Sequence, residues 1–124
     1  IHLEIEGHFS GVRDDPRTPK REDIKSTWGG KPQRLTQAGY NSACLAATVL
    51  VDRAEEWGAD IRYVMAHRQS SETRRSDPGW EIWQEIALGF CVAKLGLKSR
   101  PTMVVGTGRP IPWQWEPHIG EKSY

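Results

Sequence analysis

Between Thr36 and Trp57 small and apolar residues recur at steps of three and four: Tyr40, Ala43, Ala47, Leu50, Ala54 and Trp57, joined by Cys44 and Val51. That period belongs to an α-helix, in which residues three and four apart share one face. Asn41, Asp52, Arg53, Glu55 and Glu56 fall off the stripe, so the opposite face is solvated. Thr36 is placed to cap the first turn with its hydroxyl, and Gly58 to end the last one. The alanines keep the buried face flat, which suits close packing against a sheet. A helix over 36–57 therefore demands an apolar partner layer, and that demand restricts the fold more than any other stretch.

Strands supply that layer in our reading. Residues 1–7 alternate strictly, with Ile1, Leu3 and Ile5 on one side and His2, Glu4 and Glu6 on the other, before Gly7 ends the run. Residues 61–66 read as a short buried strand, and Val104-Val105 as a further short one. A second helix is expected over 78–95, burying Trp80, Trp83, Ile86, Ala87 and Phe90 and stopping at Gly96. The expected fold class is α/β: a mixed β-sheet flanked by helices, in one domain over 1–124. Residues 8–34 are rich in Gly, Pro and charge and form a long loop, read as a flap beside a cleft, with a poorly ordered surface insertion the equal alternative. Residues 97–124 form a Pro- and Trp-rich tail, expected to run extended over the surface or to meet another subunit.

Composition removes several classes of function. A net charge of +1 gives no basic field for nucleic acid. No apolar run approaches the ~20 residues of a membrane span, and no basic leader precedes an apolar core. Cys44 and Cys91 lack CxxC spacing and sit in helical patterns, so two buried thiols are expected rather than a cysteine metal site. Six tryptophans exceed what a core of this size needs, which leaves some to line a groove for a sugar or peptide.

The chemistry concentrates in residues 66–79, Ala-His-Arg-Gln-Ser-Ser-Glu-Thr-Arg-Arg-Ser-Asp-Pro-Gly. His67 leaves the end of a strand. Asp77-Pro78-Gly79 reads as a turn opening a helix, with Asp77 able to cap it and Pro78 at its first position. A loop of nine residues between His67 and Asp77 can fold both side chains onto one point. Imidazole nitrogen and carboxylate oxygen together suit Zn²⁺. By spacing alone, such a pair is more often a surface histidine and a helix cap.

Three stretches in order add to that pair: Leu3-Glu4-Ile5-Glu6-Gly7, then Leu35-Thr36-Gln37-Ala38-Gly39-Tyr40, then His67 to Gly79 with a basic residue two before the aspartate. The series resembles the zinc-dependent N-acetylmuramoyl-L-alanine amidases, the superfamily that includes peptidoglycan recognition proteins, over residues 1 to about 90. The resemblance implies a mixed sheet flanked by helices and hydrolysis of the amide joining N-acetylmuramic acid to L-alanine. It implies zinc held by His67 and Asp77, Glu4 as catalytic base, and Arg75 where the family carries a lysine beside the reacting carbonyl. A guanidinium there keeps the oxyanion contact and gives up proton donation. Peptidoglycan is the implied partner. The implied setting is the cell wall or extracellular space, or host cytoplasm before lysis for a bacteriophage endolysin.

The family's first zinc histidine has no counterpart, because the chain begins on the glutamate strand. Three alternatives stand: an upstream segment or second chain supplies it, a histidine here (His2, His8 or His118) supplies it, or no zinc is bound. No family motif marks His2. Two other functions stay open, a non-catalytic peptidoglycan- or protein-binding relative, and an unrelated α/β structural protein whose tail is an interaction arm.

Overall fold

The computed structural model describes residues 1–7, 9, 11, 33–74 and 76–116. Nearly all of the expected 8–34 flap, together with Arg75 and residues 117–124, lies outside them.

Helix α1 spans Gln37–Glu56. The Thr36 hydroxyl accepts the Gly39 N–H at 3.0 Å, satisfying one of the donors a helix start leaves free. Gly58 follows with φ +82°, a left-handed geometry that a side chain would oppose. Ala43, Cys44, Ala47 and Ala54 are buried as the stripe requires. Tyr40, Leu50 and Val51 are half-buried, and Trp57 is 85% exposed, a correction to the expected stripe. Trp57 falls one residue past Glu56, where the chain turns off the helical path.

The second helix, α2, opens over Trp80–Ile82 and continues over Trp83–Val92 with wider turns. At its end the Ala93 and Leu95 N–H groups donate to the carbonyls of Leu88 and Phe90, five residues back, at 3.1 Å each. This is π-helical pairing. A wider turn moves the buried positions apart, so Ile82, Ile86 and Cys91 face α1 and Phe90 is only partly covered. The expectation placed Phe90 in the core on a 3.6-residue period; the extra residue per turn hands that place to Cys91. The helix does not start at Pro78, and Asp77 does not cap it. Gly79, at φ +93°, precedes the first turn with no side-chain cap.

Two short strands, β1 (Tyr63–Val64) and β2 (Lys98–Ser99), pair in parallel. Parallel neighbours need a crossover, and α2 is that crossover. Strand pairing falls at Lys98–Ser99 and not at Val104-Val105, which are about half exposed. Among the described residues no strand pairs with residues 1–7, so the expected edge strand runs without a ladder. Phe9 and Gln33 form an isolated parallel bridge.

The core has two parts, one on each side of α2. Ala43, Cys44 and Ala47 of α1 meet Ile82, Ile86, Cys91 and Leu97. Trp80, Trp83 and Ala87 meet Ala66, Ile111 and Trp115. The α1 stripe therefore packs chiefly on α2, because a pair of two-residue strands offers too little surface to cover it. Residues Trp113–Trp115 form a single tight turn, and Trp115 is fully buried, so this part of the tail is core rather than a surface strap.

Glu81 is a buried carboxylate that joins the two helices. Its oxygens accept the Leu35 N–H and the Arg34 Nε–H, both at 3.0 Å, just before α1 begins. Gln69 is the second buried polar anchor. Its Oε1 accepts the Ala66 N–H at 2.9 Å, and its Nε2 donates to the carbonyls of Arg100 and Met103 at 2.8 Å. Gly108 packs against the Gln69 carbonyl so closely that a Cβ would stand 1.9 Å from that oxygen.

Replacing Gln69 by leucine leaves one N–H and two carbonyls without their partner, at about 1–3 kcal/mol for each group that stays unsatisfied. Gln69→Leu is expected to lower unfolding stability by at least about 2 kcal/mol in urea titration; a change under about 0.5 kcal/mol, the ordinary surface range, contradicts this placement. Cys44 and Cys91 are buried and free. Burial pushes the Cys91 thiol up, and neighbouring Cys44 adds to the shift. Neither thiol should react with a thiol reagent in the folded chain, and both should react after denaturant is added. Rapid labelling of either without denaturant runs against the packing described.

Candidate metal centre

His67 stands where the chain leaves β1 and enters a tight turn, His67–Gln69. That turn is held from several directions. The Arg68 N–H donates to the Asp77 carbonyl at 3.1 Å, and the Arg68 carbonyl accepts the Arg109 N–H at 2.8 Å. The Gln69 carbonyl accepts the Val105 N–H at 2.8 Å. Arg68 and Gln69 are both buried, with the Arg68 guanidinium 5.5 Å from the Trp115 ring centre. The backbone under His67 is thus tied both to Asp77 and to the 100–109 segment.

One of those ties brings the two expected ligands together. The His67 Nδ1 and an Asp77 Oδ2 lie 3.3 Å apart, with each side chain about a quarter exposed. Arg74 reaches the same carboxylate oxygen at 3.8 Å. Asp77 turns to the imidazole instead of the helix start, which is why it does not cap α2.

The N-terminal segment delivers two more groups. His2 and Glu4, two apart and on one side of the chain, stand with Nε2 and Oε1 at 3.5 Å. The His2 and His67 rings meet edge to face with centres 4.8 Å apart. One ligand atom each from His2, Glu4 and His67 fall within 4.8 Å of one another. Glu4 and His67, the expected base and the expected ligand, are therefore neighbours, and Asp77 adjoins them through His67. Arg75, His8 and His118 lie outside the described residues.

These groups help line a cleft of about 1180 Å³. Leu50, Val64, Ile82, Trp83 and Ile86 are among its apolar lining residues. Hydrogen-bonding side chains gathered beside an apolar wall suit a ligand with both polar and apolar parts.

Imidazole nitrogen and carboxylate oxygen are donor types that zinc takes, and neighbouring ligand atoms in its tetrahedron lie about 3.3–3.5 Å apart. The His67–Asp77 separation of 3.3 Å and the His2–Glu4 separation of 3.5 Å are equally those of plain ion pairs. His2, Glu4 and His67 as a group are looser than a tetrahedral edge, and the exposed side chains of His2 and Glu4 have freedom to close. Comparison with family models, with curated proteins and with solved structures returned no match.

Asp77→Ala removes the oxygen nearest the His67 imidazole. Zinc affinity, measured by competition against a chromogenic chelator, is expected to fall by more than the about 10- to 100-fold that loss of an outer partner costs. Unchanged affinity in this variant takes Asp77 out of the site.

Proposed function

We propose that this chain is a zinc-dependent amidase acting on peptidoglycan, cleaving the bond between N-acetylmuramic acid and L-alanine. The observation that carries the reading is the contact of His67 with Asp77, in a cleft end that also holds Glu4. The motif order in the sequence supports the same reading, and so does the parallel strand pair with its helical crossover, a piece of the α/β arrangement expected for the whole domain. Its place of action is the cell wall, reached from outside or from the host cytoplasm at lysis.

His67 and Asp77 are the residues that would hold the metal. Bound zinc supplies a water of lowered pKa and polarises the amide carbonyl. Glu4, two residues from His2 and beside both imidazoles, is the base that takes the proton from water and returns it to the leaving amine. Its exposure leaves it free to swing between those two positions. Arg75, by its place two before Asp77, donates to the oxyanion and stays charged throughout. The apolar wall of the cleft holds the part of the substrate that does not react. Binding to peptidoglycan requires no nucleic-acid surface and no membrane anchor, and no helix among the described residues is long and apolar enough to cross a membrane.

Glu4→Gln keeps the shape of the side chain and removes the base. Release of L-alanine peptides from purified peptidoglycan should disappear in this variant while zinc content stays at the level of the parent chain. Full cleavage by Glu4→Gln removes Glu4 from the base role. A parent chain that retains peptidoglycan in a pull-down but cleaves nothing with zinc present is a binding relative of the amidases instead.

A further inference from the structure

We propose that the cleft takes up an extended peptide as an added β-strand, paired through its backbone with both the N-terminal segment and β1, and that this peptide alternates basic and apolar residues. The inference goes beyond the amidase reading and does not depend on it.

Every residue from Ile1 to Gly7 lines the cleft, and so does every residue from Tyr63 to His67. In extended chain neighbouring side chains point to opposite faces, so a space that meets one face alone touches every second residue. Unbroken lining means that the backbone edge of each segment, with its N–H and C=O groups, borders the cleft. Among the described residues neither of these edges is paired. The sheet holds β1 and β2 alone, so β1 keeps one edge free, and residues 1–7 enter no ladder. Two unpaired edges on one gap call for main-chain hydrogen bonds from both sides, which an inserted strand supplies and a compact ligand does not. The His2–His67 ring contact joins the two segments at one end. Residues 3–6 and 63–66 then flank the strand over roughly 13 Å, the length of four extended residues.

What the edges carry sets the side chains of the occupant. Alternation puts Glu4 and Glu6 on one side of the N-terminal segment, about 6.6–6.8 Å apart along the chain. Of the other charged residues in the cleft, Arg74 and Asp77 face each other at 3.8 Å, which leaves the excess negative charge on the two glutamates. Basic residues two apart in a neighbouring strand repeat at the same spacing and stand across from them. On the opposite side of the segment Ile5 packs against the cluster that holds Ile82 and Ile86, so the occupant's intervening residues meet apolar surface and are themselves apolar. A polyamine would satisfy the carboxylates alone, and an acyl chain the apolar surface alone. An alternating peptide strand satisfies both, and the backbone edges with them.

The test uses the full 124-residue chain, with a chelator present and no peptidoglycan, so its outcome is separate from that of the amidase reading. The probe is the end-capped peptide Lys-Val-Lys-Val-Lys-Val bearing a fluorophore. The controls are the same peptide with alternate backbone nitrogens methylated, in either frame, and Glu-Val-Glu-Val-Glu-Val. Binding is read by fluorescence anisotropy and amide hydrogen exchange by NMR, with circular dichroism to confirm the folding of Glu6→Lys. The Lys-Val peptide should bind and should slow exchange of amides in both 3–6 and 63–66 by more than about tenfold. Methylation in either frame keeps the side chains and removes the donors to one edge, and should weaken binding by about tenfold or more. Glu6→Lys should weaken it by about 3- to 10-fold, the scale of a surface charge pair lost and then reversed. The Glu-Val peptide should bind more weakly still. The proposal is overturned if the Lys-Val peptide does not bind, or if the methylated or Glu-Val peptide binds as tightly, or if Glu6→Lys holds the Lys-Val peptide as the parent does. Exchange slowed in one segment alone overturns it too, because only one edge is then paired. So does exchange already slow in both segments without peptide, which means that the edges are filled by the chain itself or by a second copy.

Discussion

The side-chain amide of Gln69 holds the functional part of this molecule in shape. It is wholly buried, and its three hydrogen bonds reach the Ala66 N–H and the carbonyls of Arg100 and Met103. Around it the backbone of Arg68 and Gln69 pairs with Asp77, Val105 and Arg109. A buried amide of this kind contributes little net free energy while its bonds are made and costs much when they are broken. The 66–69 turn is therefore fixed relative to two distant stretches, and His67, which lines the cleft, inherits that rigidity. Without this hub the loop from 70 to 76 would set the spacing of His67 and Asp77, and a loop holds an angle poorly.

The cleft owes its shape to α2. A helix of ordinary pitch would turn Phe90 into the α1 side of the core and Cys91 away from it. The wider turns over Trp83–Val92 bury Cys91 there and leave Phe90 partly covered at the edge of the same cluster, while the start of the helix keeps its tryptophans against Ile111 and Trp115. One helix thus serves two apolar layers, and Ile82, Trp83 and Ile86 reach the cleft wall from its middle. Gly89, whose added Cβ would sit 3.1 Å from the Gln84 carbonyl, falls inside the widened stretch. The buried Glu81 then locks the entry to α1 against the first turn of α2 through Arg34 and Leu35.

The polar end of the cleft is built from three separate parts of the chain: the alternating N-terminal segment, the turn after β1 and the residue pair before α2. Each part places one or two side chains and none could form the cluster alone. In the proposed chemistry the well-held parts, His67 and Asp77, bind, and the exposed part, Glu4, moves a proton. That is the division expected if ligand geometry must be preorganised while the base visits two positions.

Local pattern alone determined a good deal. The period of α1, its Thr36 cap and its Gly58 stop were legible because helix propensity, capping and termination are settled within a few residues. The shared face of His2 and Glu4, and the reach of a nine-residue loop from His67 to Asp77, follow from strand geometry and chain length. Only tertiary structure decided the rest. The π-helical pairing of α2 depends on packing two layers at once, which no single-helix period encodes. Trp115 became core and Trp57 surface because burial depends on what lies opposite each ring in the folded chain. Gln69 reads as an ordinary loop glutamine, since two of its three side-chain partners, Arg100 and Met103, stand more than thirty residues away. Asp77 has the chemistry of a helix cap and also that of a partner for imidazole. Which one it becomes is set by the Arg68–Asp77 backbone bond, which turns its carboxylate toward His67.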